Sequence, residues 1–220
     1  MAVSFGSMTI IWLAVKTLGS LFVMACALRA YLQAVRLHSQ NPLSRLTFQM
    51  TDWAVLPIRR LVPGFGGVDW ASVLASLLIS IALATIFYLL TVWGLLQDSS
   101  GSMGKPVRPF GWLVLLAALW ASKWCLQLAV VILIVNVLMS WINPMHPMKP
   151  VFELLASPML KPFRRLVGRN DSLEHTKVSS IGRRHQGRGF DLTLIAAFLV
   201  LQVLAAVVTE LETVVIRHLF

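Results

Sequence analysis

Four long apolar stretches, Met8–Leu28, Ala71–Leu96, Trp112–Ile142 and Leu192–Thr209, decide the solvent in which this chain folds. Each approaches or exceeds the ~20 residues with which a helix crosses ~30 Å of hydrocarbon. The stretches come in pairs. Between the first two, and again between the last two, lies a cationic segment built on the same words. Pro57-Ile58-Arg59-Arg60-Leu61 in the first half recurs as Pro162-Phe163-Arg164-Arg165-Leu166 in the second. The expected fold is an all-α membrane protein with four transmembrane helices, arranged as two parallel repeats of helix–cytoplasmic amphipathic helix–helix.

The repeat sets the domain boundaries. Residues 1–97 form a first hairpin with spans at about 8–28 and 71–96, residues 98–111 an external linker, and residues 112–220 a second hairpin. The second hairpin has spans at about 120–142 and 192–209 and a polar insert, 168–188, rich in Gly, Ser, Arg and His. Aligning the halves places Lys16 on Lys123, Arg29 on Asn136, Pro42 on Pro147, and Gly67-Val68-Asp69 on Gly189-Phe190-Asp191.

The charges orient the hairpins. The formal net charge is +10, yet the chain is 57% hydrophobic and only 13% charged. Its Lys and Arg gather in loops flanking apolar spans, which is the positive-inside pattern rather than a nucleic-acid footprint. Residues 29–70 carry Arg29, Arg36, Arg45, Arg59 and Arg60, and the loop 140–191 is richer still, whereas the linker holds only Lys105 and Arg108. Both basic loops therefore face the cytoplasm, and both termini lie outside the inner (cytoplasmic) membrane. A cleaved signal peptide fits poorly, because no positive charge precedes Lys16. Cys26 and Cys125 both fall in apolar stretches, where they act as small hydrophobes rather than as a disulfide or metal framework.

Each basic loop reads as a short helix lying on the bilayer. In the first, Asn41 caps, Pro42 takes the first helical position, and Leu43, Leu46 and Met50 make an apolar face, with Arg45 and Gln49 on the other side. In the second, Pro147 starts the helix and Val151, Phe152, Leu154 and Leu155 form its apolar face. Asp52 and Ser157-Pro158 are expected to end these helices. The Arg pairs, Arg59-Arg60 and Arg164-Arg165, have two possible roles. They contact anionic headgroups, at about 1 kcal/mol per cation, or Arg60 and Arg165 pair with Asp69 and Asp191. Those two carboxylates stand where each can cap the returning span.

Polar groups within the spans need an explanation, since burying them in lipid is costly. Lys16 lies four residues from Trp12, about 6 Å of helical rise, and is expected to snorkel outward. Lys123 is expected to do the same, with Trp120 and Trp124 in the interfacial belt; the sharper alternative is that both lysines flank an anion path. Arg29, Gln33, Asn136 and Gln202 are placed to hydrogen-bond between helices.

Enzyme words are absent: there is no H-E-x-x-H, Walker loop, G-x-S-x-G elbow or C-x-x-C. No catalytic, cofactor-binding or metal-ligating residue is expected, and no cofactor.

The ordered words Leu28-Arg29-Ala30-Tyr31-Leu32-Gln33, Asn41-Pro42-Leu43, Pro57 to Pro63 and Gly67-Val68-Asp69 resemble the YggT (YlmG) family. So do Ser140-Trp141-Ile142-Asn143-Pro144, Ser157 to Leu166 and Gly189-Phe190-Asp191. The resemblance covers nearly the whole chain, and the tandem arrangement is similar to the proteobacterial form. The insert Gly168–Arg188 replaces the family's short Pro-x-x-Gly-Gly turn. The resemblance implies a small integral membrane protein linked, in bacterial members, with osmotic-shock tolerance, envelope or division functions. Plastid relatives are linked with cytochrome assembly and nucleoid organisation. The expected function is a non-enzymatic assembly or scaffold factor. Its basic loops would meet anionic lipid headgroups or a membrane-protein partner, with homo-oligomers in view and no nucleic acid. The alternative is a small channel or osmolyte pathway, formed between hairpins or by an oligomer.

Overall fold

Runs of Leu, Ile, Val and Ala without interior proline become four long helices, and the two Pro-bearing basic segments become two shorter ones. The computed structural model describes residues 2–37, 41–62, 69–97, 109–142, 145–166 and 192–219. In chain order the helices are α1 (Ala2–Ala34), α2 (Pro42–Leu61), α3 (Trp70–Gln97), α4 (Pro109–Ile142), α5 (Lys149–Leu166) and α6 (Leu192–Leu219). Four are long and apolar enough to cross a membrane: Ile10–Ala34 in α1, Trp70–Val92 in α3, Phe110–Ile142 in α4 and Thr193–Leu219 in α6.

Several expected boundaries move. The first span continues beyond Leu28 to Ala34, because Arg29 finds partners and does not end the helix. It closes in a Schellman motif, in which Leu37 N–H donates to Leu32 C=O and Arg36 N–H to Gln33 C=O. Arg36 occupies the left-handed position there, at φ 57°. Helix α4 begins at Pro109, inside the expected linker, whose residues 98–108 lie outside the described set. Trp120 and Trp124 are buried in packing rather than displayed in a belt. Helix α6 runs past Thr209 to Leu219, carrying Glu212 with it.

The short helices also differ from expectation. Asn41 caps α2 as the sequence suggests, its side chain accepting from Leu43 N–H at 3.1 Å with Pro42 behind it. However, α2 is not ended at Asp52 and runs through Pro57 to Leu61. Pro57 is exposed, so the carbonyl deprived of its helical donor is not sealed in a core. Helix α5 likewise starts at Lys149 rather than Pro147, where His146 Nδ1 accepts from Met148 N–H. It continues through Pro158 and Pro162.

The chain divides into two compact units, Met1–Leu128 with Ala205–Phe220, and Ala129–Leu204. In the first, α1 and α3 approach at Gly19, where an added methyl would meet Leu83 Cδ1 at 2.6 Å. Val23, Leu83, Ala84, Leu116, Trp120, Trp124 and Val215 form its main core. Helix α2 packs on α1 and α3 through Val55, which joins Cys26, Ala71 and Ala75. The inward stripe of α2 is hydroxylic: Ser44, Thr47 and Thr51 are all buried. Thr47 and Thr51 satisfy themselves on the carbonyls of Leu43 and Thr47, at 2.8 and 2.7 Å. Its large apolar residues, Leu46, Met50, Trp53 and Leu56, face outward, Trp53 being 72% exposed. In the second unit, Leu133, Ala156, Leu160 and Ala197 pack together. Of the apolar face expected for α5, Val151 and Leu155 are buried, but Leu154 is exposed.

Candidate functional site

Helix α2 needs something polar to hold it against α1 and α3, because its inner stripe offers hydroxyls where most helices offer leucine. Arg29 supplies it. One turn before the end of α1, its guanidinium is buried at 3% exposure. Nη1 donates to Thr51 Oγ1 at 2.9 Å and to Asp52 Oδ1 at 2.6 Å, and the ring of Phe48 lies 4.8 Å from Cζ. All three partners sit within one turn of α2, so the helical spacing of residues 48, 51 and 52 turns them toward one cation.

Asp69 forms the other half. It immediately precedes α3, and its carbonyl accepts from Ser72 and Val73 N–H at 3.0 and 3.2 Å. A carboxylate at that position is favoured by the helix dipole. Its Oδ2 accepts from Arg59 Nη2 at 2.7 Å, Ser72 Oγ at 2.7 Å and Gln33 Nε2 at 3.0 Å, and lies 3.4 Å from Arg29 Nε. Burial pushes the Asp69 carboxyl up. The hydrogen bond from Ser72, the charge and hydrogen bond of Arg59, and the charge of Arg29 outweigh that and hold it below its ordinary 3.8.

The cluster thus joins α1, α2 and the start of α3 through Arg29, Gln33, Thr51, Asp52, Arg59, Asp69 and Ser72. Its charges balance, with Arg29 and Arg59 set against Asp52 and Asp69. Two buried atoms, Arg29 Nε and Asp69 Oδ1, have no hydrogen-bond partner. One is a donor and the other an acceptor, which is the pair of demands a single buried water meets. Among the described residues no group of three His, Cys, Asp or Glu side chains could hold a metal ion.

The expected site residues fall out as follows. The partners of Asp69 are Arg59 and Arg29, whereas Arg60 is exposed. Arg164 and Arg165 lie in the last turn of α5 with side chains outside the described set, and Asp191 lies outside the described residues. Gln33 joins the cluster, Asn136 is half-buried on α4, and Gln202 is exposed on α6.

The two lysines meet a second cluster. Lys123 Nζ pairs with Glu212 Oε2 at 2.7 Å, and Trp120 Nε1 donates to Glu212 Oε1 at 2.8 Å. Lys16 Nζ stands 4.8 Å from the Trp120 ring, which also packs on Trp12 and Phe87. Neither lysine simply reaches for water.

Sequence reading missed Thr51, Asp52, Ser72 and Glu212. Asp52 reads in sequence as a helix stop, although an Arg at residue 29 of an apolar helix calls for an acid nearby. Glu212 lies beyond Thr209, where the apolar run of the fourth span ends in sequence.

Comparison with known proteins follows the same residues. A family model described as CCB3/YggT matches residues 8–90, the stretch that contains Arg29, Asp52, Arg59 and Asp69. The uncharacterised protein PA0392 of Pseudomonas aeruginosa is 30% identical over 192 residues, covering 86% of this chain and 83% of that protein. An uncharacterised protein encoded in the proC 3′ region of Vibrio alginolyticus is 29% identical over 154 residues, 70% of this chain and 77% of the relative. Escherichia coli K12 YggT, also named as uncharacterised, is 28% identical over 153 residues, 69% of this chain and 73% of the relative. No solved structure matches. With PA0392 aligned over most of both chains and the family pattern laid across the Arg29–Asp69 cluster, this chain belongs to the CCB3/YggT family.

Proposed function

We propose that the chain is a multi-pass inner-membrane protein with both termini outside, acting as a non-enzymatic scaffold through its cytoplasmic helices α2 and α5. The observation that carries this reading is the outward stripe of α2. Leu46, Met50, Trp53 and Leu56 are exposed together, and Trp53 also packs on Phe22 of α1 at 5.0 Å. A helix fastened to a membrane hairpin with its large apolar residues outward is suited to the headgroup–acyl boundary. Arg45 and Arg60 are exposed on the same helix and are free to meet lipid phosphates or an acidic partner protein. Arg59 is committed to Asp69, so the Arg pair divides its labour: one cation holds the fold and the other faces outward.

A photo-crosslinking residue in place of Leu46 or Leu56, in native membranes, tests this. Adducts to lipid or to a membrane protein are expected, and Arg45→Ala with Arg60→Ala should reduce them while insertion stays intact. Unchanged adducts in that variant would count against the scaffold reading. Liposomes loaded with salt test the channel alternative, since a scaffold leaves release at background.

A further inference from the structure

Among the described residues of the long helices, the hydroxyls and the amides differ in how they are satisfied. The span hydroxyls bond to their own helix: Thr17 to Leu13 C=O, Ser80 to Ser76 C=O, Thr85 to Ile81 C=O and Thr209 to Ala205 C=O. The amide of Gln202 has two N–H donors and a carbonyl acceptor, and among the described residues it has no partner. It is exposed on α6 beside Ile195, Leu199 and Val203, which are exposed as well. By helical rise Gln202 lies about 14 Å from Thr193 and about 12 Å from Glu210, near the midplane of a ~30 Å core. Lipid tails offer no hydrogen bond there, and an unsatisfied amide is costly.

We propose that this face of α6 is a homodimer interface, in which Gln202 of one copy hydrogen-bonds Gln202 of a second. A primary amide is self-complementary. Placed near a two-fold axis, each copy donates to the carbonyl of the other, which is the isologous arrangement that closed dimers use. Leu199 and Val203 pack around the pair and exclude lipid. The second exposed amide in a span, Gln127, differs in its surroundings: it is one turn, about 6 Å along the axis, from Lys123, whose ammonium pairs with Glu212.

The inference rests on the membrane reading, so insertion is measured first, by resistance of the full chain to alkaline carbonate extraction. Donor- and acceptor-labelled copies are then co-reconstituted in phosphatidylcholine–phosphatidylglycerol liposomes, and Förster transfer is followed as lipid dilutes the protein. Inserted wild-type protein should show transfer that survives dilution. Gln202→Leu should weaken association roughly 3- to 30-fold. Gln202→Asn should retain much of it, and Gln127→Leu all of it. An inserted wild-type chain without transfer, equal transfer in Gln202→Leu, or loss in Gln127→Leu instead would each overturn the interface while leaving the membrane reading intact. Extraction of the wild-type chain by carbonate would overturn both.

Discussion

Arg29 of α1 and Asp52 of α2, 23 residues apart in sequence, meet at 2.6 Å, and that contact fastens the short helix α2 to the long apolar helix α1. The two ends differ in their surroundings. The Arg29 side chain is 3% exposed and that of Asp52 43%, so water screens the acid but not the base. The buried counter-charge is Asp69, fully enclosed and shared with Arg59.

Asp69→Asn should therefore cost more than Asp52→Asn. The first leaves a buried guanidinium short of its enclosed anion, for which about 3–5 kcal/mol is ordinary. The second removes a half-solvated partner and should cost about 1 kcal/mol. Thermal unfolding in detergent, followed by circular dichroism, measures both. Equal losses would show that Asp69 is not the principal counter-ion.

Arg29 and Asp52 should also be replaceable together. In the second half of the chain their aligned positions hold Asn136 and Ser157, an uncharged pair. A cycle built from Arg29→Asn, Asp52→Ser and the double variant should show a coupling of about 0.5–3 kcal/mol, the double being less damaging than the sum. Strict additivity would mean that the two side chains do not act as a unit.

Acid should act late. The folded-state value of Asp69 is held below 3.8, so its contribution is fully present above that pH and is lost as pH falls through the lowered value. Stability of the wild type between pH 7 and about 4.5 should owe no slope to Asp69. A steep decline attributable to it, and absent from Asp69→Asn, is expected only in stronger acid. If that decline already appears near pH 6, the ion pairs do not protect the carboxylate.

Arg36→Gly should stabilise the protein. Arg36 holds φ 57° at the position of a Schellman motif that glycine occupies without steric cost. The gain is bounded by the roughly 1–2 kcal/mol that a non-glycine residue loses in that conformation. An unchanged or lower melting temperature would show that the Arg36 side chain repays its backbone.

Lys123→Met should destabilise more than Lys16→Met. The first strands Glu212, which is 8% exposed and keeps only Trp120, while the second removes a cation–π contact worth about 0.5–2 kcal/mol. Restoration by Lys123→Met with Glu212→Gln would confirm the origin of the loss.

The long elements were legible because apolar runs of ~20 residues have few physical readings. The clusters were only half legible. Asp69 stood out beside an Arg pair, but choosing between Arg59 and Arg60 needs the helical phase of α2, and that depends on the helix passing unbroken through Asp52 and Pro57. In sequence Asp52 resembles a helix stop because Asp is a weak helix former; its pairing with Arg29 keeps it inside α2. Glu212 lies 89 residues from Lys123, and pairwise charge matching over such a separation has no local signal.

The hydroxyl lining of α2 inverts the ordinary map of mutational tolerance. Saturation mutagenesis of this helix should find its greasiest positions, Leu46, Met50 and Leu56, freely interchangeable among aliphatics. Modest Ser44, Thr47 and Thr51 should be the intolerant sites, and a bulkier residue there would pry the helix off its seat. Ranking substitutions by the rules of water-soluble domains would order this stretch almost backwards.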